Sequence, residues 1–133
     1  MKKVFDNVEV KQSIVPAVIT ASANGSAVDT LGFSDGMAQI IAGAIDLVST
    51  NETYVFTVEE SDDGSTGWVA VSGASAAITA NNQLKEIRLA ELNLARKRYL
   101  RVVATLGGTT PSFAGVGAIV LGNKVAGPVG NAV

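Results

Sequence analysis

The sequence predicts an all-β chain, an antiparallel β-sandwich or jelly-roll-like barrel with extended terminal arms, and three observations point to it. Segments that alternate apolar and polar residues recur along the chain, most plainly "TYVFTVEES" and "RYLRVVATL". Clusters such as "ANGSA", "FSDGM", "SDDGSTG", "ANNQ" and "LGGTTPS" separate them at near-regular spacing and read as turns, since Gly, Asn, Asp and Ser enter turns cheaply. A chain of 133 residues with 47% apolar and 17% charged residues is too hydrophobic to be disordered and long enough for one core. Residues 1–133 are therefore expected to form a single β-sandwich domain, with extended arms at about 1–16 and 124–133.

The opening "MKKVFDNVEV" places Asp6 and Glu9 where a secretion leader needs its apolar run, so a soluble, non-exported protein is expected. The first candidate strand, Ser13 to Ala21, contains Pro16, which cannot donate to a ladder; the segment is an edge strand or part of an arm. Further strands are expected over Ala38 to Leu47, Thr53 to Ser61, Trp68 to Ser72, Leu84 to Leu92, Arg98 to Leu106 and Phe113 to Gly122. In the Thr53 to Ser61 strand, Tyr54, Phe56 and Val58 face the core; in the Arg98 to Leu106 strand, Leu100, Val102, Ala104 and Leu106 do. The stretch "QLKEIRLAELNLARKR" also carries helix formers at helical spacing, but Ile87 and Leu89 fit a period of two, and strand is the preferred reading. The tail "GNKVAGPVGNAV" has no period and is expected to be extended.

Four carboxylates, Glu59, Glu60, Asp62 and Asp63, crowd beside the single Trp in "VEESDDGSTGW". A calcium loop needs alternating oxygen ligands and a closing Glu, which this spacing lacks. A glycosidase pair needs carboxylates facing each other about 5–9 Å apart, whereas adjacent Glu59 and Glu60 point to opposite faces of one strand. The reading that remains is a hairpin connection whose Asp and Gly are placed by turn chemistry, with Trp68 opening the returning strand. The chain has no His and no Cys, which removes the commonest general base, the usual triads and thiolate metal sites. No phosphate-cradling glycine motif is present. The expectation is a protein that is not an enzyme and has no catalytic residues, no metal site and no cofactor.

Net charge is −2 with a pI near 5.0, which gives no general attraction for nucleic acid or for a membrane surface. Positive charge gathers at Lys85, Arg88, Arg96, Lys97, Arg98 and Arg101, and negative charge at Glu59, Asp62 and Asp63. Such opposed clusters suit complementary patches that set register between subunits, so these residues are the candidate subunit interface.

The order of motifs, "ESDDGST" with Trp68 and then "KRYLRVVATLGGTTPSFAGVGAIVLGN", resembles small β-sandwich structural proteins of tailed bacteriophages. The resemblance covers about Ile40 to Asn123 and rests on Arg98, Tyr99, Arg101, Gly108, Thr109, Leu121 and Gly122. It implies a virion structural role with no catalytic residue, most simply a head decoration or cement subunit. That subunit binds the outer surface of the head, with the major capsid protein and further copies of itself, as a trimer, for partners, after synthesis in the host cytoplasm. A tail or head-to-tail connector component, or a carbohydrate-binding surface module, are the alternatives. The low charge and the apolar arms agree with a chain that other subunits partly cover.

Overall fold

The structure is a computed structural model, and it describes residues 4–124. After a single helical turn, α1 (Val4–Asn7), it is nearly all β: β1 (Glu9–Ile19), β2 (Ala23–Asn24), β3 (Val28–Asp29), β4 (Phe33–Ile45), β5 (Thr53–Ser61), β6 (Val69–Ala77), β7 (Leu84–Ala90), β8 (Tyr99–Gly107) and β9 (Phe113–Lys124). These strands form two antiparallel sheets packed as a sandwich. Sheet A runs β1-β9-β4-β7, and sheet B runs β8-β5-β6 with β2 and β3 both pairing the far side of β8.

Period-two patterning decides which side chains meet between the sheets. Tyr54, Phe56 and Val58 of β5 and Leu100, Val102 and Ala104 of β8 are buried, as the alternation predicts, while Leu106 is partly buried at the strand end. Sheet A answers with Ala38, Ile40, Ile87, Leu89, Phe113, Ile119 and Leu121. The Phe56 and Phe113 rings are tilted with centroids 4.8 Å apart, a geometry that suits aromatic quadrupoles. Buried Tyr54 satisfies its hydroxyl by donating to Asp46 O at 2.6 Å and accepting from Ser112 N at 2.9 Å, which clips two loops to the core. Each large apolar side chain here stabilises the fold by about 1.5–3 kcal/mol.

The seam between β1 and sheet B is closed by one hydroxyl. β2 and β3 leave Val102 of β8 without a strand partner on that side, and buried Ser13 of β1 fills the gap. Its Oγ accepts from Val102 N at 2.8 Å and donates to Ser26 O at 2.8 Å, while Gly25 N donates to Val102 O at 2.8 Å. A Cβ on Gly25 would collide with that Oγ, so the position requires glycine.

The structure alters several expectations. The N-terminal arm expected over 1–16 is corrected from Glu9 onward: these residues form β1, paired within the chain to β9. Pro16 is tolerated because β1 is an edge strand whose register shifts between Ile14 and Ala17. The C-terminal arm at 124–133 lies, beyond Lys124, outside the described residues. "FSDGM" is not a turn but the start of β4, held by pairing to β7 and β9 on both sides. β6 continues past Ser72 to Ala77 through Gly73, whose φ of 77° and the register shift opposite it mark a bulge. In the helix-or-strand stretch, the strand holds for Leu84–Ala90 and stops at Glu91, φ 58°. The short β2 and β3, within "TASANGSAVDTLGF", were not expected as strands.

Candidate functional site

Glu59, Asp62, Asp63 and the basic residues Arg96 to Arg101 come together at one end of the sandwich. The antiparallel register that sets Glu59 opposite Arg101 and Ser61 opposite Tyr99 places the turn after β5 beside the segment entering β8. Within the chain, Glu59 and Asp62 of the acidic cluster are ion-paired to Arg101 and Lys97 of the basic one. Arg101 donates through Nη2 to Glu59 Oε1 at 2.6 Å and its guanidinium lies 4.3 Å from the centroid of Trp68. Lys97 Nζ is 3.5 Å from Asp62 Oδ2, and Arg96 Nη1 is 3.5 Å from Glu60 Oε2. Glu60 is buried and also accepts from Lys97 N at 2.9 Å.

Arg98 forks onto Asp29 of β3, with Nε and Nη2 donating to the two carboxylate oxygens at 2.9 and 2.8 Å. That hydrogen bonding holds the Asp29 carboxyl below its ordinary range and raises Arg98. Lys85 and Arg88, on β7, have no ion pair among the described residues.

The "SDDGSTG" stretch is the β5–β6 hairpin connection, with Glu60 opposite Val69. Asp63 builds it: Oδ1 accepts from Thr66 N and Ser65 N, both at 2.8 Å, and Oδ2 from the Thr66 hydroxyl at 2.8 Å. These bonds, the Thr66 amide first, hold its carboxyl well below the usual carboxylate range. Buried Ser61 supports the turn by donating to Thr66 O at 2.5 Å. Gly64 lies at φ 77°, and a Cβ there would stand 3.0 Å from the Tyr99 ring. The carboxylate cluster is thus a turn and an ion-pair set. Among the described residues no group of acidic side chains is arranged to hold a metal ion.

The feature that sequence reasoning missed is the outer face of sheet A. Opposite the buried Ala38 and Ile40, outward positions of neighbouring strands align in rows: Val10, Val120, Met37 and Arg88; then Gln12, Ala118, Gln39 and Glu86; then Val116, Ile41 and Leu84; and Val18 beside Ala114. Val10 is 60% exposed, Val18 66%, Leu84 54% and Ile41 43%, alongside half-buried Met37, Val116 and Val120. The same face of sheet B is polar, with Thr57 beside Ser75 and Val103, Thr105 beside Val55, and the Glu59–Arg101 pair. Two exposed apolar rows, separated by the Gln12–Ala118–Gln39–Glu86 row, are the kind of surface that interactions use. The signal was available in β9 and β4, where "AGVGAIVLG" and "AQIIAGAI" are apolar at both parities, a mark of strands covered on two faces.

Glu52 is a second residue that the sequence did not single out. It is buried, with Oε1 accepting from Ser49 N at 3.1 Å and Oε2 without a hydrogen-bond partner. Leu47, Val55, Ala77 and Ile78 share with it a small cavity of about 190 Å³.

Among the described residues no helix is long and apolar enough to cross a membrane. No protein-family model matches the chain, and a search of curated proteins finds no match.

Proposed function

We propose that this chain is a structural subunit of a virion, a decoration or cement protein that binds the outer surface of a tailed-phage head and stabilises contacts between capsomers. The observation that carries the reading is the pair of exposed apolar rows on the outer face of sheet A, set on a sandwich whose Arg96, Lys97, Arg98 and Arg101 are each paired to a carboxylate of the same chain. Such a body works by being covered, and the motif resemblance over Ile40 to Asn123 names the setting. Its partners are the major capsid protein and further copies of itself. A sugar-binding reading is weaker, because Arg101 covers one ring face of the only Trp.

The test is to purify heads of the phage that encodes the chain and measure the copy number of wild type and of Ile41→Lys. The proposal expects wild type on heads, lower occupancy for Ile41→Lys, and heads that lose thermal resistance with it. Absence from heads with presence in isolated tails would move the protein to the tail, and absence from virions would remove the reading.

A further inference from the structure

We infer that the free edge of β6, with the basic cleft beside it, takes an extended acidic segment of a partner protein as an added strand. The inference goes beyond the assembly reading, because it concerns the margin of the sandwich and not the outer face of sheet A.

The two margins of the sandwich differ. At one, Ser13 of β1 bonds to β8 and ties sheet A to sheet B. At the other, β6 ends sheet B and β7 ends sheet A, and neither has a second strand partner. A cleft of about 220 Å³ lies there, lined by residues 71–74 of β6, residues 88–90 of β7 and Arg96.

The edge of β6 is open to pairing. Ile78 N donates to Tyr54 O at 2.9 Å, so the alternation of an antiparallel ladder turns the peptide groups of Ser75 and Ala77, opposite Thr57 and Val55, away from β5. β7 carries Lys85, Glu86 and Arg88, charges of the kind that keep an edge from pairing, whereas "VAVSGASAA" of β6 has no charge and no proline. After Val71 its side chains are all small, which lets another backbone approach, and its one irregularity is the bulge at Gly73.

Charge selects the occupant. Arg88 is exposed and has no ion pair among the described residues. Arg96 Nη1 stands 3.5 Å from Glu60 Oε2, beyond the about 2.7–2.9 Å of a charge-assisted hydrogen bond, which leaves the guanidinium donors for a further acceptor. None of the residues lining the cleft is acidic. In strand addition, main-chain bonds hold the segment and side-chain contacts choose it. Here carboxylates on the added segment meet Arg88 and Arg96 while its backbone pairs with β6.

Two synthetic peptides with blocked ends, Thr-Val-Glu-Val-Glu-Val-Thr and the same sequence with Lys for both Glu, test this when titrated into the full chain and followed by amide NMR. The acidic peptide is expected to bind, to shift the Ser75 and Ala77 amides and to slow their hydrogen exchange, with the lysine peptide at least about tenfold weaker. Arg88→Glu, at an exposed position, should keep its far-UV spectrum and weaken the acidic peptide by about tenfold or more. Methylating every backbone nitrogen of the acidic peptide leaves its charge unchanged and should abolish binding. Ile41→Lys, which lowers head occupancy on the assembly reading, should bind the acidic peptide as wild type does, so the two readings fail separately. No binding of the acidic peptide, equal binding of the two peptides, or binding that survives methylation overturns the inference. Shifts confined to Arg88 and Arg96 and matched by acetate make the cleft a small-anion site and overturn the added strand. Protection of Ser75 and Ala77 that rises with concentration of the chain alone puts a second copy on the edge and overturns the partner segment.

Discussion

Ser13 Oγ on β1 accepts the amide of Val102 on β8 at 2.8 Å, so an edge strand of one sheet completes the hydrogen bonding of the other. The same hydroxyl donates to Ser26 O, and Ser13 and Val102 are both buried. Ser13→Ala leaves the buried Val102 amide without a partner, at a cost of about 1–3 kcal/mol. Gly25→Ala is expected to destabilise through a steric route, by pushing that oxygen aside. Urea midpoints measure both; a Ser13→Ala protein as stable as wild type would show that the seam is held elsewhere.

The core prediction separates the two faces of β8. Val102 is fully buried and Val103 half-exposed on the outer face of sheet B. Val102→Asp places an unpaired carboxylate in the core and should prevent folding, while Val103→Thr should fall within about 0.5 kcal/mol of wild type. Circular dichroism and yield of soluble protein report the difference.

The acidic turn gives a pH prediction. Asp63 and Asp29 both have folded pKa values held below their unfolded value of about 3.9, so each adds stability that is complete above that pH. The contribution is lost as pH falls through the folded values. The melting temperature should therefore fall modestly as pH drops below about 4, since both groups are exposed, and Asp63→Asn, which keeps an oxygen for the Ser65 and Thr66 amides, should flatten part of that fall. Millimolar calcium should leave the melting temperature unchanged; a calcium-dependent rise abolished by Asp63→Asn would make the turn a metal loop.

The stacked pair on sheet B is structural. Arg101 is held between Glu59 and the Trp68 ring with about a fifth of each partner's side chain exposed, so Arg101→Ala should cost roughly 1–2 kcal/mol and shift Trp68 fluorescence. Trp68→Ala should lower stability without changing assembly. Glycan binding that disappears with Trp68→Ala would favour a lectin-like module instead.

Much of the fold was legible because strand alternation is a local signal. Phe56, Val58, Leu100 and Val102 declare their inward face by period alone, and "SDDGSTG" declares its turn by composition. The rest depended on pairing partners that local sequence does not reveal. Asp35 and Gly36 read as a turn until β7 and β9 flank them, and β2 and β3 are too short to show a period. The contacts of the charged residues depend on the β5–β8 register, which local sequence does not show: it brings Glu59 to Arg101 and the turn after β5 beside Lys97. The apolar rows of sheet A were hidden for the opposite reason. Val10, Ile41, Leu84 and Val116 come from four strands and become neighbours only in the folded sheet.

On the proposed function, the outer face of sheet A is covered in the assembly while that of sheet B stays open to solvent. The chain has no Cys, so a single thiol can be introduced on either face and its reaction with a maleimide timed. Ile41→Cys reports on sheet A and Thr105→Cys, on an exposed position of β8, reports on sheet B. In the assembled state the account predicts a thiol at position 41 that is protected at least about tenfold relative to position 105, with the difference abolished by denaturant. Equal labelling rates at the two positions in the assembled state would contradict it.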